Sequence, residues 1–306
     1  MIKPAPIRPG DTIGIVAAAS AFDKDNFIRG VEKLRSLGFR VKYERAIFNP
    51  CWSKPGHNRQ RAAQINRMYL DPKVKAILCA KAGYGSIQIL PFLNKRVIRR
   101  NPKIFVGYSD ITNLLLFLQK ISDTVVFHGP VVANEIYEGM NSVTLSYLER
   151  ALTHTEPLGP ILAPHLVALS PGRATGRLAG GNLSLITAMI GTPYSLSTED
   201  SILFLEEVDE TLEQTRRFLF KLRQAGKFRR IRGVLFGQMV ECFEEFDEFR
   251  ALVAEVFAGY DIPILFGFPS GHKSEREAPH VTLPLGVQAT IDADKLLFQI
   301  DESGVA

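Results

Sequence analysis

Residues 104–121 read IFVGYSDITNLLLFLQKI, and the fold follows from how that stretch divides. Ile104 to Gly107 is a short apolar run suited to a buried strand, and 110–121 carries the pattern of a helix. Between them Tyr108, Ser109 and Asp110 leave room only for a tight strand-to-helix turn. The same alternation repeats outward. Thr12 to Ala18 (TIGIVAA) is another buried-strand run; Phe27, Val31 and Leu34 then follow helical spacing, and Gly38 ends the helix. Strand-like runs at 74–79 (VKAILC) and 125–127 are separated by helical stretches at 58–70, 86–93 and 110–121. Strands alternating with helices predict right-handed βαβ units on a mostly parallel sheet, with chemistry collecting at the carboxyl ends of the strands.

The alternation breaks at 153–173, THTEPLGPILAPHLVALSPGR, which holds four prolines and no clear period. It is read as a linker between an N-terminal domain, 1–152, and a C-terminal domain, 174–306. In the second domain strands at 201–205, 233–236 and 262–266 alternate with helices at 210–225 and 244–257. Short β-like runs at 281–283, 287–291 and 295–300 then make it more β-rich. The fold class is α/β, a parallel-sheet domain joined to a smaller β-rich one.

With 306 residues, 46% hydrophobic and 23% charged, the chain is neither disordered nor fibrous nor a disulfide-built miniprotein. Its 37 basic and 32 acidic side chains leave a small excess of +5. Eight of the basic residues crowd 216–232, but Leu212, Phe218, Leu219 and Leu222 recur there at helical spacing, so the arginines are assigned a solvated face and no nucleic-acid partner is expected. No apolar run approaches the ~20 residues of a membrane span, and three prolines in MIKPAPIRPGD stand where an export signal would be apolar. Cys51, Cys79 and Cys242 are odd in number and scattered, which argues for a reducing compartment and against a zinc site. A cytoplasmic protein without metal or cofactor is the expectation.

Ser109 is a candidate nucleophile, since a serine at a strand-to-helix turn is presented at the top of a sheet beside backbone N–H groups. The nucleophile-elbow pattern G-x-S-x-G is half met, with Ile111 in place of the second glycine, and a helix-capping role for Ser109 or Asp110 accounts for the same residues. Two glycine-rich junctions, Cys79 to Ser86 and Gly176 to Asn182, let backbone approach a ligand or hold an anion at a helix start; both lack a nucleotide-binding fingerprint, and tight-turn geometry explains them as well. Among six histidines, His272 follows a strand in GFPSGH and His128 closes one in FHGP; neither has metal-ligand spacing with another histidine. Glu206 directly follows the apolar run at 203–205 and suits the orienting acid of a triad. Glu207, Asp209 and Glu210 read better as the charged start of a helix.

The order of these pieces resembles the LD-carboxypeptidase family of serine peptidases, which includes muramoyltetrapeptide carboxypeptidases and microcin-immunity peptidases. The resemblance runs through RPGDTIGIVA (8–17), DPKVKAI (71–77), AGYG (82–85), VGYSDIT (106–112), FHGP (127–130), AGGNL (179–183), LFLEEV (203–208), Gly271-His272 and TLPLG (282–286). It implies a Ser–Glu–His triad at Ser109, Glu206 and His272. It further implies an oxyanion hole from the backbone N–H groups of Asp110 and Gly83, and a flavodoxin-like N-terminal domain with a swivelling C-terminal one. Lys81, Tyr84 and Asn182 are the candidate substrate-binding residues. The implied substrate is a muropeptide, hydrolysed between an L-centre and a C-terminal D-amino acid to release D-alanine in peptidoglycan recycling; a homodimer is implied too. Where the family commonly has R-G-G-Y-G this chain has Lys81-Ala82-Gly83-Tyr84-Gly85, and lysine does not replace arginine at a planar carboxylate site. The alternatives are a microcin-immunity-type peptidase acting on aminoacyl-nucleotide amides, and a non-catalytic nucleotide- or phosphate-binding protein.

Overall fold

The computed structural model of the chain describes residues 1–49, 56–274 and 276–306, so Cys51 lies outside the described residues. The chain forms two compact units. The first holds Met1–Thr155, Ser274–Pro284 and Gly304–Ala306; the second holds Glu156–Lys273 and Leu285–Ser303.

In the first unit the elements run β1 (Thr12–Val16), α1 (Lys24–Ser36), β2 (Arg40–Lys42), α2 (Asn58–Leu70), β3 (Val74–Cys79), α3 (Lys95–Arg100), β4 (Ile104–Gly107), α4 (Thr112–Ser122), β5 (Val126–His128) and α5 (Ser142–Thr153). The second unit contains β6 (Gly159–Pro160), β7 (Val167–Ser170), β8 (Arg173–Asn182), α6 (Leu183–Ala188), β9 (Ser201–Val208), α7 (Leu212–Gln224), β10 (Gly233–Val240), α8 (Phe246–Val256) and β11 (Ile264–Phe266). After β11, β12 (Leu283–Leu285) joins the first sheet, and β13 (Gln288–Asp292) and β14 (Leu297–Ile300) join the second.

The first sheet has the order β12-β5-β4-β3-β1-β2, and its strands β1 to β5 pair in parallel. Read without β12 this is 2-1-3-4-5, the flavodoxin-like order. Strands β1, β3, β4 and β5 are buried along nearly their whole length, as a sheet covered on both faces requires, while the edge strand β2 is not. Helix α1 starts on Asp23, whose carboxylate accepts from the N–H groups of Asp25 and Asn26, and it buries Phe27, Val31 and Leu34. Helix α4 buries its whole length from Thr112 to Leu118.

The second sheet has the order β6-β14-β13-β8-β9-β10-β11-β7. Its centre, β8-β9-β10-β11, is parallel; β13, β14, β6 and β7 are added antiparallel at the flanks. Helix α7 begins with a capping box between Thr211 and Gln214 and buries Leu219 and Leu222. The arginine-rich segment 216–232 carries ion pairs, Arg216 on α7 with Glu255 at 2.7 Å and Arg232 beyond it with Asp200 at 2.7 Å. Among the described residues no helix is long and apolar enough to cross a membrane.

Three sequence expectations change. The 153–173 stretch is no free linker, because β6 and β7 within it pair with β14 and β11 as sheet edges. Pro160, in β6, is tolerated because an edge strand has one side whose N–H groups need no partner, and Pro157, Pro164 and Pro171 lie outside the two strands. The second domain is not the continuous 174–306, since 274–284 and 304–306 belong to the first unit. Finally, Gly176 to Asn182, read as a loop entering a helix, is the end of the ten-residue strand β8. Its glycines concealed the strand, and a close backbone approach there requires them.

Candidate functional site

Ser109 stands where β4 ends, in a single helical turn, Ser109–Ile111, that leads directly into α4. Its φ of +59° is left-handed, a conformation that non-glycine residues rarely adopt and that a strained nucleophile turn uses. Gly107 allows the turn: a Cβ there would lie 2.7 Å from Ile111 Cγ2. The turn is braced from beneath. The Tyr108 hydroxyl donates to Glu135 Oε1 at 2.7 Å, Val131 N–H donates to Glu135 Oε2 at 2.9 Å, and the His280 ring meets the Tyr108 ring edge-on at 4.6 Å.

The glycine loop after β3 is tied to the same turn. Asp110, 3% exposed, accepts from Gly85 N–H at 3.3 Å and Ser86 N–H at 2.8 Å, while Ser86 Oγ donates to the Asp110 carbonyl at 2.5 Å. On the loop's other side Tyr84 N–H donates to Ser20 Oγ at 2.9 Å and Ser20 N–H to the Ala82 carbonyl at 3.3 Å. Of the N–H groups from Gly83 to Ser86, among the described residues, only that of Gly83 has no acceptor. Gly83 has φ +112°, and a Cβ on it would meet Ser20 Oγ at 2.3 Å. Ala82 is buried and keeps an ordinary negative φ, so the departure from glycine at that position creates no backbone strain. Tyr84 is 71% exposed, and Lys81 is half-buried with no ion pair among the described residues.

In the second unit Glu206 and His272 meet. Glu206 is fully buried at the end of β9, and its Oε2 lies 2.6 Å from His272 Nδ1. With the Glu206 carboxylate as acceptor, the tautomer that fits this contact carries its proton on Nδ1 and has Nε2 as its basic nitrogen. Two glycines make the approach possible. A Cβ on Gly237 would stand 2.5 Å from the Ser270 carbonyl and 3.1 Å from Glu206 Cβ; one on Gly271, at φ +147°, would stand 2.8 Å from Gln238 Cβ and 3.2 Å from Glu206 Oε2. Gln238 pins the loop on both sides of the histidine, its N–H donating to the Ser270 carbonyl at 3.0 Å and its Oε1 accepting from Lys273 N–H at 2.6 Å.

Strand alternation sends Glu207 to the opposite face, where it accepts from Asn182 Nδ2 at 2.8 Å and Ser184 N–H at 2.7 Å. Burial, and next the neighbouring Glu206 charge, push its carboxyl above the ordinary value. Asn182 is 1% exposed and caps α6, its Oδ1 accepting from Leu185 N–H at 3.2 Å. Its side chain thus serves both the cap of α6 and the carboxylate of Glu207.

Both helix starts expected to hold an anion are already filled, one by Asp110 and the other by Glu207 and Asn182. Sequence reasoning missed Ser20, Glu135, Gln238 and Arg61. Only Arg61 left a trace, as a charge on the α2 face that buries Ala62, Ile65 and Met68. Cys79 and Cys242 are buried free thiols whose pKa values burial raises, which makes them poor nucleophiles.

Residues 13–129 match the model of the LD-carboxypeptidase N-terminal domain, and residues 175–291 that of the LD-carboxypeptidase C-terminal domain. The chain is 34% identical to a probable murein peptide carboxypeptidase of Bacillus subtilis, over 99% of this chain and 95% of that one. It is 29% identical to the microcin C7 self-immunity protein MccF of Escherichia coli, over 97% and 95% of the two chains. A solved muramoyltetrapeptide carboxypeptidase from Oxalobacter formigenes superposes with a TM-score of 0.79 at 25% identity, covering 95% of this chain and 98% of that one.

Proposed function

The chain belongs to the LD-carboxypeptidase family, and on that premise we propose that it is a serine-type carboxypeptidase that cleaves D-alanine from the L-centre preceding it in murein tetrapeptides. The observation that carries this reading is the buried 2.6 Å contact between Glu206 and His272 Nδ1. A buried acid holding one imidazole nitrogen fixes the tautomer and leaves the other nitrogen as a base. Ser109, in its left-handed turn, is the matching nucleophile.

In this reading Ser109 Oγ attacks the peptide carbonyl as its proton passes to His272 Nε2. Glu206 stabilises the imidazolium so formed. The carbonyl oxygen gains negative charge and accepts hydrogen bonds from the N–H groups of Asp110 and Gly83. His272 then gives the proton to the departing D-alanine amine, and the acyl-enzyme is hydrolysed by water with the same base. No metal or cofactor takes part. Lys81 is the cation for the substrate's free carboxylate, and the working form is a homodimer.

A second reading has a specific observation behind it. The Lys81-Ala82 departure lies in the loop beside Tyr84, and MccF is among the relatives. Solved MccF structures include a complex with aspartyl sulfamoyl adenosine, 27% identical to this chain with a TM-score of 0.86. The same triad would then cleave an aminoacyl-nucleotide amide.

The deciding experiment incubates the pure protein with murein tetrapeptides and with aminoacyl-sulfamoyl nucleosides and identifies products by mass spectrometry. D-alanine release from the tetrapeptide alone is the expected result, and cleavage confined to the nucleosides would replace the first reading by the second. Ser109→Ala and His272→Ala are expected to lower kcat by at least about 10⁴-fold; binding without hydrolysis by the parent would make the chain a binding protein instead.

A further inference from the structure

Resting on the serine-type reading above, we infer that the Asp110 side chain is a positioning residue that sets where the Gly83 N–H stands relative to the Asp110 N–H. The two proposed oxyanion donors sit on different loops, and Asp110 joins them. Its own N–H follows the nucleophile, while its carboxylate grips Gly85 N–H and Ser86 N–H in the loop that carries Gly83. Ser20 grips that loop on the other side through Ala82 and Tyr84. Gly83 therefore lies between two clamps, with its N–H left over.

Arg61 backs both clamps. Its guanidinium is fully buried, donates to the carbonyls of Ala18 and Ala19 just ahead of Ser20, and lies 3.4 Å from where a Gly85 Cβ would be. Burial pushes the Asp110 carboxyl up and the Arg61 guanidinium down, while the charge of each pulls the other back toward its ionised form. Burying two opposite charges that do not touch is a poor way to gain stability, and capping one short helical turn needs a single acceptor. What the carboxylate adds is two acceptors in fixed geometry, holding two adjacent N–H groups at once. Oxyanion donors act only when they stand within hydrogen-bond distance of the developing charge, and a displacement of 1 Å costs about 10²-fold in rate.

The test uses Asp110→Asn, which keeps the volume but removes one acceptor, and Ser20→Ala, which loosens the other clamp from a less buried position. For Asp110→Asn we expect kcat on murein tetrapeptide to fall about 10²-fold with KM within about 2-fold of the parent. Affinity for a peptidyl boronate, which forms a tetrahedral adduct on serine, should fall with kcat. The Kd of uncleaved tetrapeptide, measured in a Ser109→Ala background, should not. Ser20→Ala should show the same split at about 10-fold, and it decides the matter if Asp110→Asn does not fold. Parental kcat in the folded variants overturns the inference, as does equal weakening of tetrapeptide and boronate. Full activity in Ser109→Ala alone would instead sink the serine-type reading itself.

Discussion

The two glycine-rich loops look alike in sequence and differ in what their glycines are for. In the first, Ala82 to Ser86, the segment is clamped by Ser20 and Asp110 yet keeps Gly83 and Tyr84 exposed. In the second, Gly180 to Asn182, everything is buried, and a Cβ on Gly180 would lie 1.9 Å from the Phe204 carbonyl. Each precedes a helical turn, and in each the chain's own carboxylate occupies the N–H groups that an incoming anion would have used. Glycine at such a junction marks a close approach of backbone to something. In the first loop the tight neighbour is a serine side chain with solvent beyond, in the second it is the next strand.

The difference can be broken most directly by adding a methyl group to each. Gly180→Ala pushes a Cβ into strand backbone at φ +150°, where nothing can rotate away. We expect it to cost more than about 4 kcal/mol, read as loss of folded protein or of the urea midpoint. Gly83→Ala, at φ +112°, meets Ser20 Oγ at 2.3 Å and Ser20 Cβ at 2.7 Å, a side chain on an intermediate-exposure loop and not strand backbone, so its stability loss is expected to be about 1–3 kcal/mol. Its turnover should fall about 10²–10³-fold, the effect of losing an oxyanion donor. A stable, fully active Gly83→Ala protein would erase the functional distinction between the loops.

Lys81 sharpens the contrast further. With both helix starts filled, Lys81, next to the first loop, is the cation proposed for a substrate's chain end. A tetrapeptide with free C-terminal D-alanine should be preferred to its amide, and Lys81→Ala should reduce that preference about 10–100-fold, mainly through KM, as expected for one charge-assisted hydrogen bond. Equal cleavage of acid and amide by the parent would exclude carboxylate recognition.

The smallest effect concerns Glu207. Burial raises its folded-state pKa above the ordinary value, so within that window the folded chain holds a proton that the unfolded chain has released. Its contribution is full below the ordinary carboxylate pKa and is lost as pH rises through the raised one. The expected slope is at most about 1.4 kcal/mol per pH unit. Urea unfolding across that range should show a shallower slope in Glu207→Gln than in the parent, the remainder coming from Asp110, whose carboxyl burial also raises, with turnover little changed. Severe loss of turnover in Glu207→Gln would assign it a role now given to Glu206.

Much of this was legible in the residues. The alternation of apolar runs and helical spacing is local, so it revealed the parallel sheet of the first unit and most of its helices. Ser109, Glu206 and His272 were each only candidates by their place after an apolar strand run, and it was the family resemblance that joined them into a triad. Strand alternation then separates Glu206, which reaches His272, from Glu207, which reaches Asn182. What pattern could not supply was anything that depends on segments far apart in the chain. Strand β8 was hidden by glycines whose reason is the backbone of β9, and the edge strands β6 and β7 by their shortness and by the prolines in and around them. The return of 274–284 to the first unit left no local signal. Nor did the contact of Asn182 with Glu207. Composition and periodicity settle which residues must be buried, since that depends on their own chemistry and near neighbours. Which buried polar group satisfies which, Asp110 with Gly85 and Ser86 or Arg61 with Ala18 and Ala19, is decided only when the tertiary fold brings donors and acceptors within 3 Å or so of each other.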